Sequence, residues 1–238
     1  TAKSLTVSGI TASDKIYDGS TSTTLTGTAV YSGLVNGDIF TGSYTGVFAN
    51  ANVGTAKTVT ITSSYTGADV SNYSITNQSS TTADISAKAL TATASASNKT
   101  YNATNSASVT LTLSGLVGSE TLGSTNTSTF NNKNVGSNKT VTVNSITLAD
   151  GTNGGLASNY SISAGQTTTA NITAKSLTVS GITASNKTYD GGTNASMDGT
   201  SAVYSGLVSG DTFNGTYTGV FSDKNVGTGK TVTITSSY

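Results

Sequence analysis

The sequence predicts a tandem array of small all-β domains, and three observations predict it. The chain repeats itself over a period the size of a domain. Its apolar residues alternate with Ser and Thr. Gly, Asn and Asp punctuate it at intervals of about 8–12 residues, the turn spacing of small β folds.

The period comes first. Ala2-Lys3-Ser4-Leu5-Thr6-Val7-Ser8-Gly9-Ile10 returns as Ala174-Lys175-Ser176-Leu177-Thr178-Val179-Ser180-Gly181-Ile182. A looser copy, Ala87-Lys88-Ala89-Leu90-Thr91, lies between them, so the steps are 85 residues (2 to 87) and 87 residues (87 to 174). Solenoid coils repeat every ~20–50 residues; this period is that of a small domain. The expected domains are residues 1–86, a divergent 87–173 and 174–238. The third stops at Tyr238, which aligns with Tyr65, so it carries no match to Thr66–Ser86. An open edge and an open core are expected there, to be completed by further chain or by a strand from a neighbouring copy. With Thr1 in place of an initiating Met, the sequence reads as an internal piece of a longer protein.

Composition narrows the class. Ser and Thr exceed a third of the 238 residues, and only 9% are charged. Low-complexity polar chains can be disordered. Here 34% hydrophobic content and strict alternation favour ordered β structure with Thr on solvent faces. Cys, His, Trp, Pro and Arg are absent, and eleven Lys balance eleven acids. Disulfides, thiolate metal sites and a His general base are excluded. A neutral chain lacks the basic footprint of a nucleic-acid binder. No apolar run approaches the ~20 residues of a membrane-spanning helix.

Within the first repeat the strands follow in order. Leu5-Thr6-Val7 starts it, and Lys15-Ile16-Tyr17 precedes the turn Asp18-Gly19. Leu25 to Tyr31 alternates up to Asn36-Gly37-Asp38, and Phe40 to Phe48 runs up to Asn52-Val53-Gly54. Thr58-Val59-Thr60-Ile61-Thr62 is the cleanest period-2 run. Asn72-Tyr73-Ser74-Ile75 and Ala83-Asp84-Ile85 close the repeat, giving about seven strands. No segment has a helical period. This is the pattern of an Ig-like sandwich, with a β-grasp-type fold as the alternative.

The anchors return in the same order. Tyr101 and Tyr189 match Tyr17; Gly115-Leu116-Val117 and Gly206-Leu207-Val208 match Gly33-Leu34-Val35. Phe130 and Phe221 match Phe48, while Asn134-Val135-Gly136 and Asn225-Val226-Gly227 match Asn52-Val53-Gly54. Val141/Val143 and Val232/Ile234 match Val59/Ile61, and Asn159 to Ile162 match Asn72 to Ile75. These residues are expected in the cores. At the junctions, Ala83 to Thr91 and Ala170 to Thr178 run from the last strand of one repeat into the first of the next. No Gly/Ser- or Pro-rich spacer intervenes, so a stiff elongated rod is expected.

Tyr17-Asp18-Gly19, Tyr189-Asp190-Gly191, the recurring Asn-Tyr-Ser-Ile and the junction Ala-(Asp/Asn)-Ile-(Ser/Thr)-Ala-Lys-x-Leu-Thr resemble the YDG-type repeats, and the related MBG-type repeats, of large bacterial surface adhesins. Many of those are filamentous-haemagglutinin-like exoproteins. The middle repeat departs from the pattern with Tyr101-Asn102-Ala103, and Ala stands at the junction where many relatives carry Pro. The resemblance implies a stalk or fibre module, secreted and held at the cell surface in adhesion or biofilm, with no catalytic residues.

The residues that could carry sharper chemistry have simpler readings. Asp38, Glu120 and Asp211 recur after Gly-Leu-Val and read as turn residues bonding their own backbone, the functional reading being a shared structural or cross-linking role. Asp150-Gly151-Thr152-Asn153 occurs once and is too poor in carboxylates for calcium. Lys15, Lys99 and Lys187, and Lys57, Lys139 and Lys230, recur where an isopeptide bond would need them, but read as solvated strand-edge lysines. Sequons such as Asn72, Asn98, Asn159 and Asn186 are numerous because Ser and Thr are abundant. Thr-x-Thr runs return too rarely for an ice-binding ladder. A sugar site would want exposed aromatics, yet most Tyr are recurring anchors.

The sequence thus predicts no enzyme, no cofactor, and no catalytic, cofactor-binding or metal residue. Expected partners are neighbouring repeats, with homotypic or donor-strand contact to another copy, and neither nucleic acid nor membrane insertion. The alternative function is that the repeats bind glycan or self-associate. Fold and stability are expected to need no metal.

Overall fold

The computed structural model describes all residues, 1–238. It is all-β, its only helical turns being short 3-10 segments at Val70–Asn72 and Ala157–Asn159. Repeat 1 contains β1 (Lys3–Ser8), β2 (Thr11–Ala12), β3 (Lys15–Ile16), β4 (Ser22–Thr23), β5 (Leu25–Thr26), β6 (Val30–Ser32), β7 (Thr41–Phe48), β8 (Gly54–Thr66), β9 (Tyr73–Thr76) and β10 (Ser80–Ser86). Two sheets form, ordered β6-β1-β9 and β3-β10-β8-β7-β4, with β2-β5 as a small ribbon.

The alternation read in the sequence sets the inward faces. Leu5 and Val7 of β1, Val59 and Ile61 of β8, and Ala83 and Ile85 of β10 are buried. The intervening Thr and Ser mostly face solvent. Val7 and Ile10 pack with Ile61, which joins the two sheets in one core. Each such aliphatic side chain contributes about 1.5–3 kcal/mol by leaving water. β1 pairs β9 in parallel, with Lys3 opposite Tyr73 and Leu5 opposite Ile75. β10 lies between β8, antiparallel, and β3, parallel. The last two strands therefore flank the first strands of the same repeat.

Two strand expectations are corrected. The run Leu25 to Tyr31 is not one strand, because Gly27 breaks it with φ +82. A Cβ on Gly27 would lie 2.4 Å from the Gly9 carbonyl oxygen, so only glycine fits between the hairpin arms. The run at Thr58–Thr62 is the middle of a longer strand, β8. Ala56 bulges it at φ 46, and its N–H is taken by the Asp84 side chain at 2.7 Å.

Repeat 2 contains β11 (Lys88–Ala96), β12 (Lys99–Thr100), β13 (Val109–Ser114), β14 (Leu122–Phe130), β15 (Gly136–Asp150), β16 (Tyr160–Ile162) and β17 (Thr167–Thr173). Repeat 3 contains β18 (Thr178–Ser180), β19 (Thr183–Ala184), β20 (Asn194–Ala195), β21 (Met197–Asp198), β22 (Val203–Ser205), β23 (Thr216–Phe221) and β24 (Val232–Ser237). The chain forms two compact units. One holds Thr1–Ser95, Val109–Ser128 and Thr142–Thr167; the other holds Ala96–Ser108, Thr129–Val141 and Thr168–Tyr238.

In the first unit, one residue, Ala87, separates β10 from β11. β11 pairs β16 in parallel, with Lys88 opposite Tyr160, repeating the β1–β9 register. The buried cluster of Tyr17, Phe48, Val59 and Ile85 continues into Leu90 and Tyr160 of the next repeat, so a core rather than a linker spans this joint.

In the second unit, β12 pairs β17 in parallel. Repeat 3 has only small sheets, β18-β22, β19-β21 and β20-β23-β24. β18 begins at Thr178, whereas β1 begins at Lys3, the match of Lys175. The residues left out of the strand, Lys175 to Leu177, are those whose matches Lys3 to Leu5 pair with β9. The expected continuous strand is therefore present at the first joint and interrupted at the second.

Candidate functional site: the joint between repeats

The recurring residues converge where one repeat meets the next. At the first joint the Glu120 carboxylate bridges two tyrosines. Tyr17 of repeat 1 donates its hydroxyl to Oε1 at 2.6 Å, and Tyr160 of repeat 2 donates to Oε2 at 2.6 Å. The Val117 N–H donates to the Tyr160 hydroxyl oxygen at 2.9 Å. The two rings meet edge to face, 5.3 Å between centroids. Hydrogen bonds to a charged acceptor are the stronger kind, about 1.5–3 kcal/mol each.

This geometry makes the Tyr17 phenol a poor acid. Burial, and then the hydrogen bond to Glu120, push its pKa from 10.0 up to about 12. Burial and Glu120 also raise Tyr160. Both phenols favour the neutral donor form, because ionisation would set an anion beside a carboxylate.

A second contact lies beside the first. Asn159, 1% exposed, accepts from the Val53 N–H at 2.9 Å and donates to Asn52 Oδ1 at 3.1 Å. One side chain of repeat 2 thus reads the Asn-Val backbone turn of repeat 1. Gly19 of the Tyr-Asp-Gly turn has φ +78, and a Cβ there would lie 2.9 Å from Val117 of repeat 2. Glycine serves both the turn and the close approach. Repeat 2 keeps the turn with Ala103 at φ 61, a strained conformation for that residue.

The three acids show the same device in three states of completion. Asp38, in repeat 1, accepts only from Tyr73 of its own repeat, whose oxygen accepts from the Val35 N–H at 2.9 Å. Glu120 holds its own tyrosine and that of the preceding repeat. Asp211, in repeat 3, accepts from Tyr101 of the preceding repeat at 3.2 Å. Repeat 3 has no residue matching Tyr73 and Tyr160. Beside Asp211 lies a cavity of about 470 Å³, lined by Tyr101, Val135, Leu177, Val208, Asp211 and Phe213 among others. Val135 matches Val53, and here it is 53% exposed.

Each acid does sit in a turn, its N–H bonded to the carbonyl three residues back, but the side chains take the shared structural role instead of bonding their own backbone: they are acceptors for tyrosines. The lysine expectation is corrected too. Lys15 Nζ is no solvated edge group; it donates to the Ser20 and Ser22 carbonyls at 2.8 and 3.1 Å and pairs with Asp18 at 2.7 Å. It also lies 5.9 Å from the Phe48 ring centroid. Lys99 and Lys187 likewise donate to loop carbonyls and lie over the Phe130 and Phe221 rings; Lys187 also pairs with Asp190, whereas Lys99 has Asn102 at that position. These lysines tie the loop after the Tyr turn to the core. Lys57 and Lys139 donate to Asn50 and Asn132 side chains at 2.7 and 2.6 Å in exposed turns, and Lys230 pairs with Asp223.

Asp150 Oδ1 accepts from the Ala157 N–H at 2.7 Å, closing its own loop. The sequon residue Asn159 is spent inside the joint. In the sequence Tyr17 and Tyr160 read as core anchors and Glu120 as a turn residue. The signal that joins them is present: the Tyr17 position and the acid recur in all three repeats and the Tyr160 position in the first two, and a buried tyrosine needs a partner for its hydroxyl.

The YDG domain family matches the chain three times, at residues 1–83, 86–170 and 173–238. No curated protein and no solved structure matches it.

Proposed function

We propose a structural function for this chain, which belongs to the YDG domain family. It is a stalk or fibre segment of a secreted bacterial cell-surface adhesin or biofilm matrix protein, projecting a binding region away from the cell. Its work is mechanical, with no catalytic step and no cofactor. Each repeat is an Ig-like sandwich, and the repeats stack into a rod.

The observation that carries this reading is the first joint. A carboxylate, two tyrosines and an asparagine from adjacent repeats lock together, with one residue between successive strands. A joint with a shared core and directional bonds resists bending, which a spacer would not. The two sheets sharing one core in repeat 1 support the sandwich.

Glycan binding by the repeats has less support. Repeats 1 and 3 carry clusters of rings, Tyr31-Phe40-Tyr65 and Tyr204-Phe213-Tyr238, half-buried except for the exposed Tyr238. Repeat 2 places Leu122 where repeat 1 has Phe40 and Asn126 where it has Tyr44, so the cluster is not a feature of every repeat.

Small-angle scattering tests the rod. Strands of about ten residues span roughly 33 Å, so three stacked repeats should approach 100 Å. A compact particle would overturn the reading.

A further inference from the structure

The chain contains three Asn-Gly pairs, Asn36-Gly37, Asn153-Gly154 and Asn214-Gly215. Asparagine is among the chemically labile residues, and a following glycine leaves its side chain open to attack by the next backbone nitrogen, with no Cβ in the way. The attack needs that nitrogen unengaged and room for the peptide group to swing. The structure grants both to one pair only. We propose that Asn36 is a self-modifying site of the folded chain, converting to aspartate and isoaspartate through the nitrogen of Gly37.

The three pairs differ in what holds them. Asn36 and Gly37 are exposed at the tip of a turn closed by one bond, from the Asp38 N–H to the Val35 carbonyl at 3.2 Å. No hydrogen bond engages the Asn36 side chain or the Gly37 N–H. Gly37 has φ +94, and a Cβ there would meet no heavy atom within 4 Å, so the peptide can rotate without a clash. At Asn214 the attacking group is engaged: the Gly215 N–H donates to the Tyr204 hydroxyl oxygen at 3.0 Å. At Asn153 the target is held: its side-chain amide donates to the Ser119 carbonyl at 3.0 Å. The Asn153 loop is also closed by bonds from Gly151 N–H to the Gly155 carbonyl and from Gly155 N–H to the Thr152 carbonyl.

The step needs only water. The Gly37 nitrogen bonds to Cγ of Asn36, the Cγ–Nδ2 bond breaks, and ammonia leaves with the proton that Gly37 loses. Water then opens the five-membered imide. Cleavage at the side-chain carbonyl gives aspartate; cleavage at the main-chain carbonyl gives isoaspartate, with the backbone routed through the side chain and one methylene longer. Either product adds a negative charge to a chain whose cations and acids balance at eleven each.

The site lies where a longer backbone matters. Val35 donates its N–H to the Tyr73 hydroxyl oxygen at 2.9 Å, and Tyr73 donates to Asp38, so both ends of the turn fix one phenol. An added methylene between Val35 and Asp38 pulls these two contacts out of register. The matching turns hold Gly118-Ser119 before Glu120 and Ser209-Gly210 before Asp211, neither of which can react in this way. Repeat 1 alone therefore carries a slow timer on its acid turn, and this holds whether or not the array is a stalk.

The test is to incubate the 238-residue chain at mildly alkaline pH, folded and in guanidinium, and to follow each site by mass spectrometry. Trypsin places the three pairs on separate peptides, 16–57, 140–175 and 188–224. In guanidinium the three should convert at similar rates. Folding should slow Asn214 by about two- to tenfold, the factor one neutral hydrogen bond supplies, and Asn36 by less than about twofold. Tyr204→Phe should bring Asn214 back towards its rate in guanidinium. Asn36 slowed by folding as much as Asn214, or converting no faster than Asn153, would overturn the proposal, as would an Asn214 rate that Tyr204→Phe leaves unchanged. The aged chain, separated by its added charge, should show faster hydrogen exchange at Val35, and Asn36→Gln taken through the same incubation should not. Equal exchange in the two would overturn the loosening of the turn.

Discussion

Repeats 1 and 3 share nearly the same residues up to Tyr65 and Tyr238, yet only one has a closed core. Leu5 and Ile61 are 0% and 6% exposed; Leu177 is half-buried, and Ile234 is 41% exposed. Tyr17 is 4% exposed and Tyr189 is 59%. The strands that both possess form in both: β7–β8 and β23–β24 pair in the same antiparallel hairpin. What differs is the presence of β9 and β10, which come last in sequence and lie beside the first strands. Burial in this fold therefore depends on partners distant along the chain, and alternation alone cannot supply it.

The largest test of that difference is Phe48→Ala against Phe221→Ala. In the closed core the first should cost about 3–5 kcal/mol, and the half-buried second about 1 kcal/mol. Denaturant unfolding, followed with hydrogen exchange to resolve each repeat, would measure both. Equal costs would show that repeat 3 is closed in solution.

The joints come next. Glu120→Ala removes the acceptor of two tyrosines and should cost at least about 1.5–3 kcal/mol. Asp211→Ala removes the acceptor of one and should cost less. A double-mutant cycle of Glu120→Ala with Tyr17→Phe should give a coupling of about 0.5–3 kcal/mol; additivity would remove the carboxylate bridge from the account.

Alkaline pH probes the same bridge. Tyr17 titrates near 12 when folded and near 10.0 when unfolded, so the folded state holds its proton more tightly. Its stabilising contribution is complete below pH 10 and declines as pH rises through 12. Tyr17→Phe should flatten that part of the pH profile, and an unchanged profile would assign the loss elsewhere.

The smallest effect concerns the two Tyr-Asp-Gly turns. Gly191→Ala meets no heavy atom within 4 Å, so it should cost about 1 kcal/mol from φ +76 alone. Gly19→Ala adds a clash with Val117 and should cost more. Equal melting shifts would mean that Val117 yields freely.

Much of this was legible in the sequence. The period and the inward faces of β1, β8 and β10 follow from repetition and alternation. The splitting of Leu25 to Tyr31 was not, because two facing glycines decide it and nothing local says that Gly9 and Gly27 approach. The joint was half legible. Tyr17, Glu120 and Asn159 were each singled out, but period 2 says only that a residue points inward. It does not say whether inward means its own repeat or the next. The lysines misled for a similar reason: a Lys at a strand end looks solvated until the loop carbonyls of Ser20 and Ser22 close over it.

The joint also bears on how such a gene can change length. Its donors and acceptors sit at the same phase of every period. Unequal recombination that adds or removes one full period, wherever the breakpoint falls, returns each tyrosine to a carboxylate and each Asn-Val turn to an asparagine. An offset of a few codons would instead strand a carboxylate against an apolar neighbour. A change of whole periods thus leaves the donors and acceptors of a joint in phase, and a change of part of one does not.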